Sequence, residues 1–196
     1  MKSVLITDYP HPSENISEIY RYLRSKPSKE LDELIDSVIA EAYNELVFYV
    51  SYTIVDLHCD GEKVKLGNIE ASSRDLCKCL NGCEQAVIFA ATIGSGIDRL
   101  ITKYSRLTPS RALLFQAYGS ERIEALCDVF CEEIRNSTSM KMSPRFSAGY
   151  GDLPLEFQKT IFDILECGKI GLTLNQSLLM SPSKSVTAIA GLKKLR

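Results

Sequence analysis

The chain has 196 residues, 45% of them hydrophobic, which is the size of one ordinary domain with a sizeable core. Its formal net charge of −2 comes from acids and bases scattered along the chain, leaving no basic stripe for nucleic acid and no cationic amphipathic helix for a membrane surface. Met1 to Ile6 is apolar for only a few residues, and no later run reaches the ~20 residues of a membrane span, so the expectation is a cytoplasmic protein folding as one unit over residues 1–196.

From the N-terminus, Ser17 to Arg24 has helical character, and Ser28-Lys29-Glu30-Leu31 has the form of a helix start with Ser28 as cap. The following helix is expected to run to about Glu45, burying Leu31, Leu34, Ile35, Val38, Ile39 and Ala42. Two β-rich runs, Phe48 to Leu57 and Val64 to Ile69, are separated by the turn dipeptide Asp60-Gly61 and predict a hairpin. Ser72 to Leu80 returns to helix and ends at Asn81-Gly82; Gln85 to Thr92 is an apolar strand. Gly94-Ser95-Gly96 opens a helix from Ile97 to about Ser105, and a longer helix spans about Pro109 to Arg135. A further helix begins near Leu155, and two short strands close the chain. Helices and strands alternate irregularly with hairpins between them. That pattern predicts an α+β fold with a mainly antiparallel, twisted sheet flanked by helices.

Seven cysteines without a leader segment read as reduced, mostly packed thiols. In Cys77-Lys78-Cys79-Leu80-Asn81-Gly82-Cys83 the first two sit on a helix end and point to different faces, which does not suit chelation. Cys127 and Cys131 lie four apart on a helix, a spacing shared by metal ligands and by pairs of core positions. No metal site is assigned.

The segment carrying most chemistry is Arg145-Phe146-Ser147-Ala148-Gly149-Tyr150-Gly151-Asp152-Leu153-Pro154-Leu155. Gly149 and Gly151 permit close backbone approach to a ligand. Arg145 offers a fork of donors suited to a carboxylate, and Tyr150 offers a π face with a hydroxyl. These groups suit a small zwitterion that bears a second positive charge.

This loop resembles the Arg-x-x-Pro-Gly-Tyr signature of the activation, or S-adenosylmethionine-binding, domain of cobalamin-dependent methionine synthase. The resemblance continues through Gln158, Lys159 to Cys167, Ile170-Gly171-Leu172-Thr173-Leu174 and Met180-Ser181-Pro182-Ser183-Lys184-Ser185-Val186-Thr187-Ala188-Ile189. Upstream, Ile19-Tyr20-Arg21-Tyr22-Leu23 and Ala90-Ala91-Thr92-Ile93-Gly94 also look like the short, stand-alone form of that domain. The match is near full length, with its C-terminal third the specific part.

The resemblance implies S-adenosylmethionine as ligand, with Glu124, Arg145, Ser147, Gly149 and Tyr150 as the binding residues and no catalytic acid or base. By that resemblance Arg145 meets the methionine carboxylate and Ser147 offers its backbone to the adenosyl moiety. Tyr150 faces the sulfonium or orients its methyl group, and Glu124 attracts the ammonium or bonds the ribose. Cobalamin enters only indirectly, in a partner subunit of methionine synthase whose cob(II)alamin is reductively methylated with an electron from a reduced flavoprotein. The chain resembles an accessory part of a methyltransferase in methionine biosynthesis and is not expected to make methionine alone. It departs from the family pattern at Ala148 and Gly151, which stand where prolines are usual, and at Ser139 to Met142, where the long versions have a glutamate.

Three other readings compete. One is a non-catalytic regulatory or assembly protein of the same fold, binding another small ligand or only a protein. The second is an independent methyltransferase, which the α+β pattern disfavours. The third is direct cobalamin ligation, since Asp56-Leu57-His58-Cys59-Asp60-Gly61 is similar to the Asp-x-His-x-x-Gly pattern of cobalamin-binding domains. His58 falls in a predicted hairpin, however, whereas that pattern requires a strand-to-helix loop, so it is read as an edge-strand histidine before a turn. Gly94-Ser95-Gly96 likewise lacks the third glycine of a dinucleotide fingerprint, where Arg99 stands, and is read as a tight turn.

Overall fold

In the computed structural model, which describes residues 3–194, the elements follow in the order β1 (Leu5–Asp8), α1 (Ile16–Leu23), α2 (Lys29–Ala42), β2 (Tyr49–Asp60), β3 (Lys63–Leu66), β4 (Ile69–Ser72), α3 (Arg74–Cys79) and β5 (Gln85–Thr92). The second half contains α4 (Gly96–Leu107), α5 (Pro109–Thr138), β6 (Met140–Met142), α6 (Phe157–Leu165), β7 (Thr173–Leu174), β8 (Met180–Ser181) and β9 (Ser185–Lys194). Side-chain caps set several of these starts. Asn15 accepts from the Glu18 amide, Ser28 from Leu31 and Ser73 from Leu76. Pro109 opens α5, where its missing N–H would have had no helical partner anyway.

The main sheet runs β4-β3-β2-β5-β9-β6, with β1 beside the first part of β2, and every pairing in it is antiparallel. The α+β class and the mainly antiparallel sheet flanked by helices therefore stand. β5 and β9 occupy the centre and are apolar on both faces, as a strand covered on both sides must be. On one face Val87, Phe89, Ala91, Ala188 and Ala190 pack against α1, α2, α4 and α5. On the other, Ala86, Ile88, Ala90 and Ile189 pack against α3, α6 and the 3-10 turn Cys167–Ile170.

Several boundaries differ from the sequence expectation. The run Val64 to Ile69 is two strands, because Gly67 takes a left-handed conformation (φ 60°) and turns the chain back on itself. Ser185–Lys194 is no short closing strand: with ten residues it pairs β5 on one side and β6 on the other. β1 and β6 are short edge strands without a readable alternation. Helix α6 starts at Phe157, two residues after Leu155, once the loop has completed its turns. Leu34 is 48% exposed, while Ile35, Val38 and Ala42 carry the buried face of α2. On α5 the apolar strip includes Ile123, Cys127 and Cys131, and Val129 lies outside it.

Candidate ligand groove at the Arg145 loop

Arg145 lies just beyond β6, where the chain runs beside β9; Phe146 and Ile189 exchange both backbone hydrogen bonds, at 2.9 and 2.8 Å. Phe146 joins the core on the α3–α6 face. Arg145 instead reaches α5, which is what strand-like alternation demands of neighbouring side chains. There its Nη2 donates to Glu124 at 2.7 Å and lies 3.2 Å from Asp128. Those carboxylates are four residues apart and share one strip of the helix.

Arg145 is 28% exposed, and its Nη1 is buried without a hydrogen-bond partner among the described residues. Burial disfavours the guanidinium charge, but the neighbouring Cys127, Glu124 and Asp128 outweigh it and raise the pKa above its ordinary value. Cys127 and Cys131 sit in the core beneath it. Burial pushes both thiols up, so they stay protonated and offer the guanidinium only weak acceptors.

Glu124 and Asp128 form part of the wall of a groove of about 550 Å³ between α1 and α5. Its other lining comes from Pro12, Ser13 and Asn15 ahead of α1, Glu18, Arg21 and Tyr22 on α1, and Glu121, Ala125 and Val129 on α5. The wall ahead of α1 is held by a fully buried arginine. Arg122 donates to the Pro12 and Ser13 carbonyls at 2.6 and 2.9 Å and pairs with Glu121 at 2.5 Å, while Glu121 accepts from the Asn15 amide at 3.0 Å. An ion pair so enclosed is tolerated because every charged group has partners.

The rest of the loop is fixed by a different device. The Tyr150 amide donates to the Ser147 carbonyl, Leu153 to Tyr150, and Gly149 to Leu153 at 2.9 Å, closing two turns. Gly149 has φ 86° and Gly151 φ 53°, both left-handed; a Cβ on Gly151 would stand 2.7 Å from the Asp75 carboxylate. Asp152 then accepts from the Ser73 hydroxyl and from the Arg74 and Asp75 amides, anchoring the loop at the start of α3. Those bonds, first the one from Ser73, hold its carboxyl below the usual carboxylate value.

The structure brings Arg145 and Glu124 together as an ion pair within the protein. Of the expected ligand residues only Glu124 lines the groove; Arg145 stands behind it, and Ser147, Gly149 and Tyr150 lie outside, with Tyr150 68% exposed at the far turn of the loop. Sequence reasoning missed Asp128, Arg122, Glu121 and Asp152. Asp128 had a readable signal in its four-residue spacing from Glu124, whereas the other three act through contacts distant in sequence. His58 sits in the β2–β3 hairpin opposite Lys65 and not in a strand-to-helix loop. Cys79 donates to the Pro144 carbonyl while Cys77 packs into the core on the α3–α6 face. Among the described residues no group of three or more His, Cys, Asp or Glu side chains is placed to hold a metal ion.

Against solved structures, the MetH reactivation domain bound to AdoHcy superposes with a TM-score of 0.74 over 97% of this chain and 78% of that one, at 14% identity. This chain has the reactivation-domain fold. No protein-family model and no curated protein matches the sequence. In this chain the two core layers meet across β5 and β9, which are apolar on both faces. Among the described residues no helix is long and apolar enough to cross a membrane.

Proposed function

We propose that this chain is a stand-alone reactivation module for a cobalamin-dependent methionine synthase, binding S-adenosylmethionine beside Arg145 and presenting its methyl group to a cobalamin held by a partner subunit. The observation that carries this is the pairing of Arg145 with Glu124 in a fold shared, over nearly its whole length, with a domain solved with AdoHcy. The residues present fit such a ligand. Arg145, with its side chain 28% exposed, offers guanidinium donors to a carboxylate, and Glu124 offers a carboxylate for an ammonium or a ribose hydroxyl. The groove beside them is large enough for a nucleoside.

S-adenosylmethionine supplies a methyl group on a cationic sulfur, and the electron required for reductive methylation comes from a reduced flavoprotein. The chain's own residues bind and orient. Arg145 fixes the amino-acid end, and the rigid turn from Ser147 to Leu153 presents its backbone and Tyr150 on the outer side. Orientation alone converts an encounter between two bound partners into a directed transfer. The whole chain acts as one cytoplasmic unit, and neither nucleic acid nor membrane takes part.

A second reading, a regulatory or assembly protein of the same fold, is favoured by one observation: Arg145 already has two carboxylate partners within the protein. Calorimetric titration with S-adenosylmethionine separates the two. Saturable binding that Arg145→Ala abolishes supports the module; no binding to the folded wild type, alone or with a cobalamin-loaded partner, supports the regulatory protein.

A further inference from the structure

Half-buried thiols gather where α3 covers the end of β2. Cys59, opposite Val64 in the β2–β3 hairpin, turns its side chain into the core on the α3–α6 face, and Cys77 on α3 packs into the same core. There the Cys59 thiol has the Cys77 thiol as its side-chain hydrogen-bond partner, with Cys83 close by. Cys83 itself lies against β9, where a Cβ on Gly191 would stand 2.5 Å from its sulfur. Cys79 is turned away and donates to the Pro144 carbonyl at 3.4 Å. These four thiols are free and partly open to solvent, whereas Cys127, Cys131 and Cys167 are buried.

Among the described residues no three such side chains converge as metal ligands, so chelation is not what this cluster offers. Two facing thiols on different elements offer a covalent bond instead. We infer that Cys59 and Cys77 form a redox-active dithiol, which a small-molecule disulfide of the glutathione class closes to an intramolecular disulfide. The Cys77 thiolate attacks one sulfur of the oxidant, breaks its S–S bond and expels one thiolate, leaving a mixed disulfide on Cys77. Cys59 then loses its proton to solvent and attacks the Cys77 sulfur, expelling the second thiolate. The pair gives up two electrons and two protons, and the oxidant leaves as two thiols. The order of attack follows from the surroundings. Desolvation, and after it the contact with Cys77, pushes the Cys59 thiol up to about 12, so Cys59 is a poor first nucleophile and acts as the resolving partner.

Position gives the bond a consequence. The Cys77 amide donates to the Ser73 carbonyl at 3.1 Å, and the Ser73 hydroxyl donates to Asp152, the anchor of the 145–155 loop. Ser73 also donates its own amide to the Glu62 carbonyl at 2.7 Å, in the turn of the β2–β3 hairpin. A Cys59–Cys77 bridge therefore fastens the first turn of α3 to that hairpin and braces the support on which the loop rests. The bridge stabilises chiefly by restricting the unfolded chain. In a reducing compartment it forms only while oxidant is present, which is how a sensing disulfide behaves.

The test incubates the reduced full chain with graded ratios of glutathione disulfide to glutathione, quenches with acid, and reads intact mass and disulfide-linked peptides. The expected result is loss of two hydrogens, a Cys59–Cys77 cross-link that closes faster in mildly alkaline buffer than at neutral pH, and a higher urea midpoint for the oxidised chain. Cys83→Ser should still close. Cys59→Ser should stop at a glutathione adduct on Cys77, and Cys77→Ser should form no cross-link. A glutathione adduct that persists on wild-type Cys77, a cross-link between any other pair, or no reaction of the folded chain overturns the inference. Each of these outcomes is read without S-adenosylmethionine, so the proposed function stands or falls separately.

Discussion

The two ends of the 145–155 loop are secured by opposite means. From Ser147 to Asp152 the chain is closed by its own backbone turns and pinned to α3 through Asp152, with two glycines in conformations that other residues adopt only under strain. At Arg145 the loop is tied to α5 by charges alone, and those charges are ones a zwitterionic ligand can take over. On the proposed function, the ion pair would admit and release the ligand while the rigid arm keeps its place.

The largest disruption of this contrast is expected from Arg122→Ala. It leaves Glu121 as a buried, unpaired charge and frees the Pro12 and Ser13 carbonyls, costing about 3–5 kcal/mol by urea denaturation. Groove binding should fall with it, because the wall ahead of α1 loses its anchor. Gly151→Val attacks the rigid end alone; a Cβ against Asp75 at positive φ costs about 1–3 kcal/mol, read as a lower midpoint in the same titration. Arg145→Ala attacks only the exchangeable end. It should abolish S-adenosylmethionine binding while moving the denaturation midpoint far less than either of the others.

The pinning of the rigid end is sensitive to acid. Folding holds the Asp152 carboxyl below its ordinary value of 3.8, so its contribution is complete above that pH and is lost as pH falls through the folded value. Limited proteolysis between Tyr150 and Leu155 should therefore accelerate at acid pH in the wild type. Asp152→Ala should cleave quickly at neutral pH. The smallest expected effect is that of Tyr150→Phe on stability. The ring is largely in solvent, so the melting temperature should stay unchanged, and any loss should appear only in methyl transfer to a partner's cobalamin.

Much of the fold was legible because its signals are local. Ser28 caps the helix that follows it, Asp60-Gly61 turns the hairpin, and the unbroken apolar run of β5 announces a strand covered on both faces. Arg145 and Glu124 were legible as a pair only through resemblance, since 21 residues of chain separate them and no periodicity joins a loop to a helix face. Phe146 and Arg145 show how the link is made: the bridge to Ile189 turns one side chain to each face of the sheet.

By itself the sequence determined the α+β class, most helix starts, the first hairpin and the loop whose residue types suit a charged zwitterion. Tertiary structure alone decided that Ser185–Lys194 is central to the sheet, that Arg145 meets two carboxylates while Tyr150 stands outside the groove, and that Arg122 and Asp152 hold the walls. The physical reason is distance along the chain. Caps, turns and apolar alternation are contracts between residues a few positions apart, whereas strand neighbours, buried ion pairs and the contacts of Arg145 arise only once segments far apart in sequence pack together.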